Sequence, residues 1–364
     1  MATRPMTGRR CLGGRPAERA LVGALLLGLT PMGWCQVMGE IERLDPPQQG
    51  FYGKRLVAQG IPVLAHESVS DAALEEAARR LTEQLSRAPE IAGNLQRLGA
   101  EMHLIGKDQQ TTDLPEYRDM KGKPFEGEAT MDERGRGYGG LHASCAEENL
   151  LRLPSDRFTD HRDICRHEFA HTIMEFGLSP DNRELIEAQY RASTEAGRWK
   201  TMYAATNPGE FFAELTMWYF GTRGDYGKLD PPPQPGAYWL RAYDPEAYAL
   251  LDDLYSGRLK PAPVEVVDLK RLPPEAEATT RSQPDQPATT VIFLNRTAQP
   301  VERFWLDFEG QRKSYGVVPP GGIASQSTYV THAWLLTHPD GKVLGIWVPE
   351  EAVGRVIITD AAAD

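Results

Sequence analysis

The sequence predicts an α+β domain followed by a small all-β sandwich. Three observations carry that expectation. Up to about residue 270, apolar residues recur at helical spacing between short alternating stretches. From 271 to 288 the chain turns rich in Pro, Thr and Glu with almost no apolar anchor. Beyond that, short β-type runs are separated by Gly and Pro turns. A length of 364 residues is ample for two cores. The expected divisions are 1–35 as a signal peptide, 36–270 as the α+β domain, 271–288 as a linker and 289–364 as the sandwich.

At the N-terminus, Arg9, Arg10, Arg15 and Arg19 precede the apolar run Ala20–Leu29. A basic stretch followed by an apolar segment too short to span a bilayer is the layout of a signal peptide. It predicts a secreted, periplasmic or cell-envelope protein. The alternatives are an uncleaved anchor extending through Trp34 and a lipoprotein cysteine at Cys35. Cleavage after Cys35 leaves Cys145 and Cys165, an even pair that in an exported chain invites a disulfide. Cys165 as a metal ligand is the poorer reading, since it lies two residues before His167 and points elsewhere on a helix. The net charge of −11 becomes more negative without residues 1–35, which hold five arginines and one glutamate. No basic stripe interleaved with aromatics is present, which argues against nucleic acid as a partner.

Within the α+β region, Ser70 or Asp71 is placed to cap a helix with Leu74, Ala78, Leu81 and Leu85 on one face. Glu101–Ile105 alternates like a strand. The polar stretch 107–138, with glycines toward its end, reads as a long loop, and residues 147–151 as a strand leading onward. His66, His103, His142 and His161 read as surface or internally satisfied histidines. Pro231–Pro235 breaks the chain, and a short helix around Pro245–Tyr255 closes the domain.

The run His167-Glu168-Phe169-Ala170-His171 stands apart. On a helix capped by Asp163, Phe169, Ile173 and Phe176 form the buried stripe, and Gly177 is expected to end the helix in a left-handed conformation. His167 and His171 lie off that stripe and one turn apart, close enough to clamp one Zn²⁺ ion. Glu168, next to the first imidazole, is placed to take a proton from metal-bound water. Downstream, Asn207-Pro208 reads as a turn before a helix that buries Phe211, Leu215 and Trp218. Glu210 and Glu214 share one face of it. Glu210 suits a third ligand and Glu214 a carboxylate orienting a ligand imidazole.

Tyr203, Thr206, Asn207 and Glu210-Phe-Phe-Ala-Glu214, together with the histidine motif, resemble the catalytic domain of anthrax lethal factor and its relatives, gluzincin zinc peptidases, over roughly residues 133–220. The resemblance implies a zincin-like metallopeptidase domain with one zinc per chain, bound by His167, His171 and Glu210. It implies Glu168 as general base and Tyr203 as donor to the oxyanion. It also implies an edge strand near residues 147–151 that pairs with an extended substrate.

Beyond the linker, the runs 291–295, 303–308, 325–330, 333–337, 343–348 and 356–359 predict strands, with turns at Gly310, Pro319-Pro320-Gly321 and Asp340-Gly341. The text Val291-Ile-Phe-Leu-Asn295-Arg296, Trp305-Leu-Asp-Phe-Glu-Gly310, Tyr315, Ser327-Thr-Tyr329 and His332-Ala-Trp334-Leu-Leu336 resembles the β domain of the von Hippel–Lindau family over 289–359. That domain binds hydroxyproline-containing peptide. The resemblance maps its pocket onto Trp305, Tyr315, Thr328, His332 and Trp334, with Thr328 in place of a serine. The helical domain that recruits ubiquitin machinery has no counterpart, so no ubiquitin-ligase partner is expected.

Two functions fit. One is a secreted zinc endopeptidase that hydrolyses peptide bonds with metal-activated water and holds hydroxyproline- or proline-containing peptides on its sandwich. The other is a peptide-binding or adhesion protein with an inactive zincin domain. The complete set His167, Glu168, His171, Tyr203 and Glu210 favours the first.

Overall fold

The computed structural model describes residues 39–359 apart from 126, 226 and 228. The expected signal peptide lies outside the described residues. No helix among them is long and apolar enough to cross a membrane.

The first lobe opens with an antiparallel meander of β1 (Glu42–Gln48), β2 (Tyr52–Ala58) and β3 (Ile61–His66). Helices α1 (Asp71–Leu85) and α2 (Pro89–Leu98) then carry the chain back to β4 (Glu101–Ile105), which pairs parallel to β3. A long excursion contains the helical turn α3 (Met131–Arg134) and returns through β5 (Gly137–Tyr138) to β6 (His142–Ala146). The sheet order is β1-β2-β3-β4-β6-β5, so the two-residue β5 is the far edge.

Alternation along these strands gives the sheet two different faces. Leu56, Val63, Met102, Leu104, Ala143 and Cys145 join the main core with α1 and α2. Leu64, Ile105 and Ala146 form a smaller core on the other face with Tyr52 and Leu114. Leu114 belongs to the excursion after β4, so the polar loop serves as the cover of that second face. Leu74, Ala78, Leu81 and Leu85 of α1 are fully buried.

Residues 147–151 are not the expected strand. The strand ends at Ala146, and α4 (Glu147–Leu150) makes one helical turn. Its carboxylates have local partners: Glu147 accepts the Ser70 and Lys107 amides, and Glu148 pairs with Arg136. The disulfide is also absent. Cys145 on β6 and Cys165 are buried free thiols that adjoin in the core and fill space as small apolar groups.

Then come α5 (Ile164–Thr172), α6 (Pro180–Glu195), α7 (Pro208–Tyr219), α8 (Ala237–Tyr243) and α9 (Pro245–Tyr255). α5 widens into a π-turn over Ile173–Gly177. Gly177 is not left-handed, contrary to the sequence expectation. It is small because α2 approaches closely: a Cβ there would lie 2.7 Å from Ile91 Cγ2.

The second lobe is a sandwich of two four-stranded sheets. β7 (Val266–Asp268), β8 (Ala288–Asn295), β11 (Ile323–Tyr329) and β14 (Val353–Ile358) form one in the order β11-β8-β14-β7. β9 (Val301–Leu306), β10 (Arg312–Val318), β12 (Ala333–Thr337) and β13 (Val343–Trp347) form the other in the order β10-β9-β12-β13. Val291, Phe293, Trp334, Leu336 and Val356 fill the space between them.

Each sheet also carries an apolar patch on its outer face. Ile292 joins the main core of the first lobe, with Leu294 and Ile323 packed beside it. Leu306, Leu335 and Ile346 are covered by Leu272 and Ala276. The supposed linker is therefore part of the lobe. Leu272 bridges Ile346, a helical turn spans Pro274–Ala278, and Ser282 is buried between the Leu306 carbonyl and the Ala333 amide. Continuous apolar runs such as 291–294 and 333–336 are the sequence mark of strands buried on both sides. Leu272→Asp should lower stability to urea by about 2 kcal/mol, because a carboxylate would be forced against that apolar face. Glu275→Lys, exposed on the same segment, should be neutral. Equal midpoints for the two variants would mean that the segment is only a tether.

Candidate active site

Two helix starts set the geometry. Asp163 caps α5 by accepting the Arg166 amide, and it is itself fixed by Arg80 of α1 through a buried ion pair of 2.6 Å. Asn207 caps α7, its Oδ1 accepting the Glu210 amide at 2.9 Å. The cap places Glu210 in the first turn of α7, where the helix dipole favours an anion. Phe169 and Ile173 on α5, and Phe211, Leu215 and Trp218 on α7, are buried in the common core. Packing these stripes together turns the polar faces toward one cleft.

There, His167 Nε2 and His171 Nε2 are 3.2 Å apart. Glu210 Oε2 lies 3.1 Å from the first and 3.5 Å from the second. An ion bonded at about 2.0–2.1 Å to three corners of a tetrahedron keeps those corners roughly 3.3 Å apart, so the triangle has the size of a zinc site. Glu210 Oε2 is buried without a hydrogen bond, as expected of an atom reserved for a metal. The residues present therefore fit the ion that the motif implies.

Electrostatics point the same way. Burial alone would lower the pKa of His167, yet the Glu210 and Glu214 carboxylates push it up to about 10. Glu210 is held below the usual carboxylate range, against the effect of burial, by the two imidazoles. Two carboxylates thus converge where positive charge is stabilised. Glu214 Oε1 lies 3.2 Å from His167 Nδ1, and its Oε2 accepts the Asp225 amide.

The cleft, about 520 Å³, is lined by Glu168, Tyr203 and the loop from Gly135 to Gly140 besides these groups. Burial raises the pKa of Glu168, and the neighbouring imidazoles only partly offset it. Tyr203 is 44% exposed, and its ring lies 6.4 Å from that of His167. Partial burial, then the nearby Glu210 carboxylate, push its pKa up to about 12, so the phenol keeps its proton.

Sequence reasoning missed the glycine loop as part of the site. A Cβ on Gly137 would stand 3.1 Å from Glu168 Cγ, and one on Gly139 would stand 2.7 Å from His171 Cβ. Thr172 Oγ1 donates to the Gly140 carbonyl at 2.6 Å. Glycines recurring at 135, 137, 139 and 140 were the available signal.

The five residues proposed for the sandwich divide into two groups. Trp334 and Thr328 are buried, the indole N–H donating to Thr328 Oγ1 at 3.3 Å. Trp305 stacks on His332 with ring centroids 5.1 Å apart, and its Nε1 has no partner. Tyr315 is exposed and meets Trp334 edge-on. Phe308 and Tyr329, not singled out from the sequence, are exposed and extend this aromatic surface on either side of His332.

Residues 280–342 match the family model of the VHL beta domain, a span that runs from the covering segment through β12. Among solved structures, the chain is similar to the Pro-Pro endopeptidase PPEP-2 from Paenibacillus alvei. The likeness has 17% sequence identity and a TM-score of 0.38, and it covers 53% of this chain and 97% of that one. No curated protein matches.

Proposed function

We propose that the chain is an exported zinc endopeptidase whose VHL-type β domain holds proline- or hydroxyproline-containing peptides. One observation carries this reading: His167 Nε2, His171 Nε2 and Glu210 Oε2 converge within 3.5 Å in a cleft lined by Glu168 and Tyr203. The lethal factor-like motif set over residues 133–220 supports it. In this reading 36–270 is the catalytic domain and 271–288 belongs to the sandwich lobe.

His167, His171 and Glu210 would hold the zinc, with Glu214 orienting the His167 ring. When bound, the ion supplies Lewis acidity toward a carbonyl and lowers the pKa of water. Glu168 accepts the proton of the attacking water and passes it to the leaving amine, and its raised pKa suits both directions. Tyr203 donates to the oxygen that gains charge, a bond that strengthens toward the transition state. β5 is the outermost strand and lines the cleft, so its main chain is placed to pair with an extended peptide.

Glu168→Gln should keep zinc at the wild-type level and lower kcat by about 10²–10⁴-fold. Zinc analysis alongside peptide turnover checks this, and loss of zinc or unchanged turnover would remove Glu168 from its role. In that same inactive full-length chain, fluorescence titration with proline and hydroxyproline peptides should show binding. Trp305→Ala should then weaken it about tenfold or more. An unchanged affinity would place peptide binding elsewhere than the Trp305–His332 surface.

A further inference from the structure

Three of the chain's histidine and carboxylate groups assemble a second cluster on the opposite face of the sheet. β4 and β6 run parallel, with Glu101 opposite His142 and His103 opposite Ser144. Alternation then puts Glu101, His103 and His142 on one face, the face covered by the excursion after β4. One ligand atom from each of the three lies within 4.8 Å of the others.

Two of these groups are explained by hydrogen bonding, and one is not. His103 is fully buried between Glu101 Oε2, 2.9 Å from its Nε2, and Glu116 at its Nδ1. Tyr52 reinforces that arrangement, donating to Glu116 at 2.7 Å. His142, by contrast, bonds Gly99 of the main chain and packs its ring against His103, and its Nε2 has no hydrogen-bond partner. Its side chain is 8% exposed, and the bare nitrogen faces Glu101 Oε2 across 3.9 Å. With Nδ1 donating, Nε2 presents an unpartnered lone pair toward Glu101 Oε2, whose own partner is His103 Nε2. A buried nitrogen left bare beside a carboxylate suits a cation between them.

We infer that Glu101, His103 Nε2 and His142 Nε2 form a second metal site, selective for zinc or a similar borderline divalent ion. Two imidazoles and one carboxylate favour such an ion over calcium or magnesium. Glu116 on His103 Nδ1 is the carboxylate that holds a ligand imidazole by its far nitrogen. Closing the 3.9 Å gap to about 3.4 Å gives tetrahedral spacing. The two carboxylates balance the charge of the ion once His103 gives up its proton. Entry is available from a crevice lined by Glu116, His142 and Arg303. The site would staple β4 to β6 two residues after Gly140, and so brace the glycine loop of the cleft.

The test counts zinc in the full-length His167→Ala/His171→Ala chain, so that the first site contributes nothing. After incubation with zinc chloride and gel filtration, elemental analysis should give one equivalent, and adding His142→Ala should abolish it. Crystals of the wild-type chain soaked in zinc chloride should show an anomalous peak between Glu101, His103 and His142, which needs no variant to fold. No zinc in the double variant, one equivalent persisting after His142→Ala, or no peak at that position would each overturn the inference.

Discussion

Three acceptor atoms from two helices are forced to within 3.5 Å of one another, and the rest of the first lobe is arranged to keep them there. Without an ion, the Glu210 and Glu214 carboxylates hold the imidazoles, which is why the pKa of His167 is pushed up and that of Glu210 down. The caps at Asp163 and Asn207, the buried aromatic stripes of α5 and α7, and Glu214 behind His167 supply the rigidity. A divalent ion would take the place of the positive charge that the imidazoles supply there. That is how a fold pre-organises a reactive centre without relying on the ion to build it.

The sandwich obeys a different constraint. Each sheet carries an apolar patch on its outer face that must be covered. One face is closed by the first lobe, the other by residues 272–278. The two lobes therefore share one continuous core rather than joining through a tether, and a peptide held on the Trp305–His332 surface would stand in a fixed relation to the cleft.

What was legible in the sequence followed from local spacing. Histidines four apart, Asn-Pro before Glu210, and the α1 stripe are fixed by helical period alone, so both helices and their facing side chains could be read directly. The aromatic-rich strands of the sandwich were legible for the same reason. What stayed hidden depended on pairing across long separations. Glu101 and His142 are brought together by a parallel register spanning some forty residues, and no local pattern encodes that register. His103 and His142 therefore looked like ordinary histidines. The low apolar content of 271–288 suggested a tether, although Leu272 and Ala276 suffice to cover a sheet face that is already apolar. The cysteine pair suggested a bridge by number alone, whereas the two side chains lie side by side in the core as free thiols.

The most direct test is reversible metal dependence of peptide cleavage. Full-length protein stripped with a chelator should lose endopeptidase activity on a peptide library and regain it on addition of stoichiometric zinc. Cleavage that survives complete removal of metal, or a zinc-loaded chain that cleaves no peptide, would contradict the account.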